Sequence, residues 1–117
     1  MQPTSDHPYA MAKRAGDFIF VSGALSVDRD YQPVEGRREA LAAALERMTE
    51  RLATEGGELK DLVKLTYFVT DITLREEANE QFTEHFAEAR PARTFLEASG
   101  LPYGATVEID AIAYVGE

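Results

Sequence analysis

Cysteine and tryptophan are absent from this sequence of 117 residues, and only two histidines are present. Without cysteine, disulfide bonds, thiol nucleophiles and thiolate metal sites are excluded. His7 and His85 lie near opposite ends of the chain and have no partner at the spacing of metal ligands. We therefore predict no metal site.

Positive charge is also scarce, with 12 Lys and Arg residues against 21 Asp and Glu residues and a formal net charge of -9. This balance repels a phosphate backbone, whereas proteins that bind nucleic acids usually present a basic surface. A local basic patch could still form at two basic pairs, Lys13-Arg14 and Arg37-Arg38, although such pairs more often lie on the solvated surface. Nucleic acid is therefore disfavoured as a partner.

Long apolar runs are missing as well. No stretch approaches the roughly 20 apolar residues that a membrane helix needs, and residues 1–6 show neither the basic nor the apolar part of a secretory signal. We expect no membrane association and a cytoplasmic location. The length predicts a single domain over residues 1–117, small enough that oligomerisation would help to bury its core.

Hydrophobic periodicity and turn residues predict the element order β-β-α-β-α-β-β, an α+β fold with a mixed sheet. The second helix is expected to begin with a capping box formed by Thr73 and Glu76 and to end near Ala89, before Pro91. The predicted ranges are two strands within 9–22 around Gly16-Asp17, a helix over 37–54, a strand over 62–70, and strands over 92–98 and 105–115.

Two helices can cover only one face of such a sheet. Phe68, Ile112 and Tyr114 would place apolar side chains on the other face. A continuous apolar surface of this kind usually marks an interface, so we predict that a second copy of the chain covers it.

Two charged residues in these apolar strands are candidates for a functional site. Arg93 begins one strand, and Glu108 lies within the next on the predicted interface side. A tight turn through Pro102-Tyr103-Gly104 would let the two strands pair and bring the guanidinium close to the carboxylate. A structural salt bridge would have the same pattern, and spacing alone leaves both readings open.

The chain resembles the RidA/YjgF family, also called the reactive intermediate deaminase or L-PSP family, from about His7 to Val115. No single motif decides this resemblance, which depends on the order and spacing of several. The matching pieces are Pro8-Tyr9, the strand end 20–23, the run 61–69, Asn79 before Phe82 and Phe86, Pro91-Ala92-Arg93-Thr94, and the strand 107–113.

This resemblance implies a chorismate-mutase-like fold with two helices packed on one face of the sheet. It also implies a homotrimer with an active cleft between each pair of subunits. The implied reaction is hydrolysis of 2-imino acids or their enamine tautomers, such as 2-aminoacrylate and 2-iminopropanoate, to 2-keto acids and ammonia. The resemblance implies that no cofactor takes part.

Site residues are carried over from the family motifs. Arg93 matches the arginine that holds the substrate carboxylate, and Glu108 matches the glutamate that positions and activates water. The resemblance places Tyr9, Asn79, Ser22 and Gly23 along the cleft.

Two positions depart from the family pattern. Phe95 stands two residues after the arginine, where many members have cysteine, so we expect a bulkier and more apolar pocket there. His7 replaces a common glycine and either adds a polar group at the cleft mouth or lies in solvent.

Three alternative functions stay open. The first is a related deaminase acting on a larger enamine or imine, like an aminomuconate or aminoacrylate-peracid enzyme. The second is a non-enzymatic regulatory protein that binds a small 2-keto acid. The third, an endoribonuclease or translation inhibitor, is disfavoured by the acidic balance and by the lack of paired catalytic histidines.

Overall fold

The computed structural model describes residues 7–116. The segment 1–6, in which we predict no secretory signal, therefore lies outside the described residues, as does residue 117. The described part contains five strands and two helices: β1 Ala12–Ala15, β2 Phe18–Leu25, α1 Arg37–Ala53, β3 Leu62–Val69, α2 Arg75–His85, β4 Ala92–Glu97 and β5 Val107–Tyr114.

The strands form one sheet in the order β1-β2-β5-β3-β4. The β3 and β4 strands are parallel, and the other neighbours are antiparallel. Both helices pack on the same face, where the alternate residues of β2, β3 and β5 are buried. The predicted α+β class, with a mixed sheet and two helices on one face, is therefore confirmed.

The predicted pairing of the last two strands is wrong, because β3 lies between β4 and β5. The chain leaves β3, passes through α2 and returns as β4. Such a crossover places its two strands side by side and parallel. Because β5 then pairs with the other edge of β3, the turn at Pro102–Gly104 connects strands that are not neighbours.

The start and end of α2 also differ from the prediction. The Thr73 hydroxyl donates to Asp71 Oδ1 at 2.7 Å instead of capping the helix, and residues Ile72–Leu74 form a 3₁₀ turn before α2. The helix ends at His85, and Phe86 leaves helical geometry while its ring stays buried in the core. The helix therefore ends four residues before Ala89, where the prediction placed its end.

The core lies between the helices and the sheet. The helix α1 begins where expected and contributes an apolar stripe at helical spacing. Its members are Ala40, Leu41, Ala44, Leu45, Met48 and Leu52, which pack on Ile19, Leu65, Tyr67, Ile109 and their neighbours.

The opposite face of the sheet is open within a single chain, as predicted. Phe20 is 46% exposed and Tyr114 is 40% exposed on this face. Ile112, which pairs with Phe20, and Phe68, further along β3, are only partly buried. This open face is continuous across β2, β5 and β3. Among residues 7–116, no helix is both long and apolar enough to cross a membrane.

Candidate active site

Arg93 points to the helix side of the sheet, at its β4 edge. In the strand register it lies opposite Leu65, whose side chain is fully buried under the helices. Its Nη2 donates to Asn79 Oδ1 of α2 at 2.6 Å. The sequence-predicted residues Arg93 and Asn79 are therefore in direct contact.

Three aromatic rings surround the Arg93 guanidinium. Its central carbon lies 5.0 Å from the Phe82 ring centroid, 5.2 Å from that of Phe95 and 5.4 Å from that of Tyr67. A guanidinium over aromatic faces at these distances is held by cation–π attraction. Burial lowers the pKa of Arg93, although arginine stays charged in proteins.

One donor of this guanidinium has no hydrogen-bond partner. Among the described residues, Nη1 of Arg93 is the one fully buried side-chain nitrogen or oxygen that forms no hydrogen bond. Leaving a buried charged donor unpaired is unfavourable by at least about 1–3 kcal/mol. Such an atom calls for a structural or functional explanation.

The aromatic cage is itself fixed by α2. Tyr67 lies opposite Phe95 in the strand register, and its hydroxyl donates to Gln81 Oε1 at 2.9 Å. Burial raises the pKa of the Tyr67 phenol, so it remains neutral. Phe95 therefore forms one side of the aromatic cage around Arg93. It does so at the position where many family members have cysteine.

Glu108 lies on the open face of the sheet. It is opposite Phe68 of β3 and Leu25 of β2, and its side chain is partly buried. Burial raises the pKa of its carboxyl group, nearby Asp110 raises it further, and Arg51 acts in the opposite direction.

The Glu108 carboxylate packs directly against Gly23. A β-carbon added at Gly23 would overlap Glu108 Oε2, so the close approach needs a glycine here. The pairing of β2 with β5 is irregular between Val21 and Ala24, which indicates a bulge at Ser22 and Gly23. The Ser22 hydroxyl donates to the Ala10 carbonyl at 2.6 Å.

The N-terminal part of the site is formed by Tyr9 and His7. Their rings stack at 5.1 Å, and Tyr9 is 52% exposed. His7 is partly buried, and its Nε2 lies 3.1 Å from the Tyr31 hydroxyl. His7 therefore contacts the predicted cleft residue Tyr9 and does not lie free in solvent.

The structure thus divides the predicted site residues into two groups. Arg93, Asn79 and Phe95 meet on the helix side, while Glu108 meets Gly23 on the open face, beside Ser22. Within one chain these two groups are not brought together.

Sequence reasoning missed the residues that support these two groups. The Arg93 guanidinium packs against Tyr67 and Phe82, and Gln81 accepts a hydrogen bond from Tyr67. Arg51 donates a hydrogen bond to the carbonyl of Gly23, the residue that Glu108 contacts. The alternation of β3 placed Tyr67 in the core, but nothing in the sequence showed that the arginine would share that side.

A groove of about 870 Å³ runs between the two helices and reaches Asn79. It contacts neither Arg93 nor Glu108, so it is not a cleft that these two residues share. Within residues 7–116, no three His, Asp or Glu side chains converge as metal ligands.

Comparisons with known proteins define the family. The family model described as Endoribonuclease L-PSP matches residues 1–115. A RutC family protein of Pyrococcus abyssi is 36% identical over 109 residues, which cover 92% of this chain and 86% of that protein. The chain therefore belongs to the RidA/YjgF family, the L-PSP proteins.

Solved structures agree with this assignment. The crystal structure of RidA from the Antarctic bacterium Psychrobacter sp. PAMC 21119 has a TM-score of 0.86 at 30% identity, covering 93% of this chain and 89% of that one. The crystal structure of yeast Mmf1 has the same TM-score at 28% identity, covering 93% of this chain and 88% of that one.

Proposed function

We propose that this protein is a cofactor-independent hydrolase of small 2-imino acids and their enamine tautomers, releasing 2-keto acids and ammonia. The observation that carries this proposal is the buried, unpaired Nη1 of Arg93. A planar guanidinium can form two parallel charge-assisted hydrogen bonds with a carboxylate, and every 2-imino acid has a carboxylate next to the reacting carbon.

In this proposal, substrate binding moves the arginine. Nη1 is enclosed, so the guanidinium must turn out of its aromatic cage to meet a carboxylate with two donors. The new charge-assisted hydrogen bonds offset the lost cation–π contacts. Asn79, already bonded to Nη2, keeps the other arm oriented.

Glu108 serves as the general base. Its pKa is raised toward neutral pH, and a general base works best when its pKa is near the working pH. It removes a proton from water while the oxygen adds to the imine carbon and the C=N electron pair moves to nitrogen. Glu108 then gives that proton to the nitrogen, which yields a neutral carbinolamine. It next takes the proton of the new hydroxyl group and passes it to the nitrogen, so that the C–N bond breaks, ammonia leaves and the carbonyl forms.

The two groups meet between copies of the chain. Arg93 and Glu108 project from opposite faces of one sheet, and the open face carries exposed aromatic side chains. In the proposed homotrimer, this face packs on a neighbour and each cleft takes Arg93 from one subunit and Glu108 from the next. Tyr9, Ser22 and Gly23 line the Glu108 side.

Two further expectations belong to this proposal. RNA cleavage, suggested by the name of the family model, is disfavoured by the net charge of -9. A cytoplasmic location stays a prediction, and one relative is the mitochondrial protein MMF1 of Saccharomyces cerevisiae, 28% identical over 114 residues.

The test generates 2-aminoacrylate from serine with a pyridoxal phosphate-dependent dehydratase and follows pyruvate release. We expect the protein to accelerate pyruvate release above the spontaneous rate. Release at the spontaneous rate, together with measurable pyruvate binding, would favour the non-enzymatic alternative. Repeating the assay with larger amino acid precursors defines the side chains that the pocket around Phe95 accepts.

A further inference from the structure

Arg51, in the last turn of α1, contacts the backbone of the bulge beside Glu108. Its Nη1 donates to the Gly23 carbonyl at 2.9 Å and to the Ser22 carbonyl at 3.3 Å. These carbonyls lie in the stretch where the pairing of β2 with β5 is irregular. A bulge leaves backbone groups outside the ladder, and Arg51 supplies the donor that satisfies them.

Glu108 and Arg51 meet at the same glycine. The Glu108 carboxylate lies so close to the α-carbon of Gly23 that a β-carbon there would overlap Oε2. Arg51 holds the carbonyl of that glycine through a charge-assisted hydrogen bond. A shift of the bulge would therefore displace Gly23 and change the position of the Glu108 carboxylate packed against it.

The charges around Glu108 support a second effect. Asp110, on the same strand, and burial both raise the pKa of Glu108, while the positive charge of Arg51 lowers it. Arg51 also lies near Arg47, Tyr9 and Tyr31, and it is itself partly desolvated. In such surroundings, water screens the attraction between the two charges less than at an exposed surface.

Neighbouring Arg47 has a different set of contacts. Its Nη1 lies 3.4 Å from the Val27 carbonyl, and its guanidinium carbon lies 5.2 Å from the centroid of the Tyr31 ring. It belongs to the same helix and carries the same charge, but it holds the loop after β2 and not the bulge. Arg47 is therefore a matched control for Arg51.

We infer that Arg51 is a positioning residue of the active site, which fixes the Ser22–Gly23 bulge under the Glu108 carboxylate and places a positive charge beside it. This inference rests on the proposed function for its effect on rate. Arg51 acts through the backbone of the bulge, since its Nη1 donates to the Ser22 and Gly23 carbonyls.

The test compares Arg51→Gln, Arg51→Lys and Arg47→Gln in the full-length oligomer, after thermal unfolding shows that each folds. For Arg51→Gln we expect kcat/KM at neutral pH to fall roughly ten- to hundredfold, as small misplacements of catalytic groups do. The acidic limb of its pH–rate profile should move to higher pH, because the ionised glutamate has lost its cation. In Arg51→Lys, the acidic limb should return to its wild-type position, but kcat/KM should recover only in part.

A second measurement does not depend on activity. Carbon-detected NMR titration of the Glu108 carboxyl group should show a higher midpoint in Arg51→Gln than in the wild type, and no change in Arg47→Gln. An unchanged midpoint in Arg51→Gln would overturn the inference even if the enzyme is active. If the wild type hydrolyses no imine, the proposed function fails, while the titration still decides whether Arg51 supports Glu108.

If Arg51→Gln does not fold, Arg51→Lys decides the question. Lysine keeps the charge but cannot reproduce the planar donor geometry of the guanidinium. A lower rate at an unchanged limb position supports the positioning role, and a wild-type rate overturns it.

Discussion

Arg93 and Glu108 project from opposite faces of one sheet, and β3 separates the strands that carry them. Arg93 lies opposite Leu65 on the helix side, whereas Glu108 lies opposite Phe68 on the open side. Residues that lie directly opposite each other on neighbouring strands share a face. A site that uses both residues therefore needs a second copy of the chain, which explains why a small domain would leave aromatic side chains exposed.

Replacing Arg93 tests the carboxylate anchor. Arg93→Ala should lower kcat/KM for 2-iminopropanoate about ten- to hundredfold or more, since a hydrogen bond to a charged group contributes about 1.5–3 kcal/mol. Arg93→Lys should recover little, because an ammonium offers no planar pair of donors. The exposed Arg90, three residues earlier, provides the control: Arg90→Ala should keep the wild-type rate. Equal rates for the wild type and Arg93→Ala would remove the anchor role.

Asn79 is expected to act through Arg93 and not through the substrate. Asn79→Ala removes the acceptor at 2.6 Å from Nη2. We expect KM to rise about two- to tenfold with a smaller change in kcat. This is the effect of losing one hydrogen bond that orients Arg93 and contributes roughly 0.5–1.5 kcal/mol. Thr83→Ala, one turn further along α2 and exposed, controls for changes in the helix. A fall in kcat at constant KM would instead place Asn79 at the reacting atoms.

Gly23 offers a way to displace Glu108 without changing it. In Gly23→Ala the new methyl group would overlap the end of the flexible Glu108 side chain, which can swing away. We therefore expect a folded protein with a thermal midpoint close to that of the wild type but with activity reduced to the level of Glu108→Gln. Gly100→Ala, where a β-carbon meets nothing within 4 Å, should be fully active. Full activity of Gly23→Ala would show that the carboxylate position does not matter.

The raised pKa of Glu108 also predicts how stability depends on pH. Because the folded-state pKa lies above the ordinary value of 4.5, the stability linked to the protonated group is complete below about that pH and is lost as pH rises through the folded-state pKa. Glu108→Gln has no such loss. The difference in unfolding free energy between Glu108→Gln and the wild type should therefore grow in favour of the variant from pH 4 to pH 8.

Urea unfolding across this pH range measures that difference. Glu84→Gln, which changes an exposed carboxylate of α2, is the matched control and should show no comparable trend. A wild-type protein that gains stability over Glu108→Gln as pH rises would mean that the ionised carboxylate is well accommodated, contrary to the general-base role proposed for it.

Much of the fold follows from local sequence patterns. The alternation in 62–70 and the stripe of α1 each reflect one buried face, so their periods identify them correctly. Strand order is different, because it depends on contacts between distant segments. A strand, a helix and a strand in succession favour a parallel neighbour pair, and that rule would have placed β4 beside β3.

The site could be predicted only in part. Burying Arg93 and Glu108 in apolar strands is unfavourable without a use, and this marked both as site residues. Their surroundings could not be predicted, because the cage of Tyr67, Phe82 and Phe95 combines three separate elements. Arg51 looks like an ordinary surface residue of an amphipathic helix until the bulge of β2 is placed beneath it.

The most direct test of the account mixes two variants that each have strongly reduced activity. Arg93→Ala and Glu108→Gln are purified separately, dissociated together and reassembled, and mass spectrometry confirms the hybrid oligomers. If each cleft takes its arginine from one subunit and its glutamate from the next, random assembly leaves about a quarter of the clefts intact. The account predicts imine hydrolysis at about that fraction of the wild-type rate. Hybrid oligomers with no activity would contradict it.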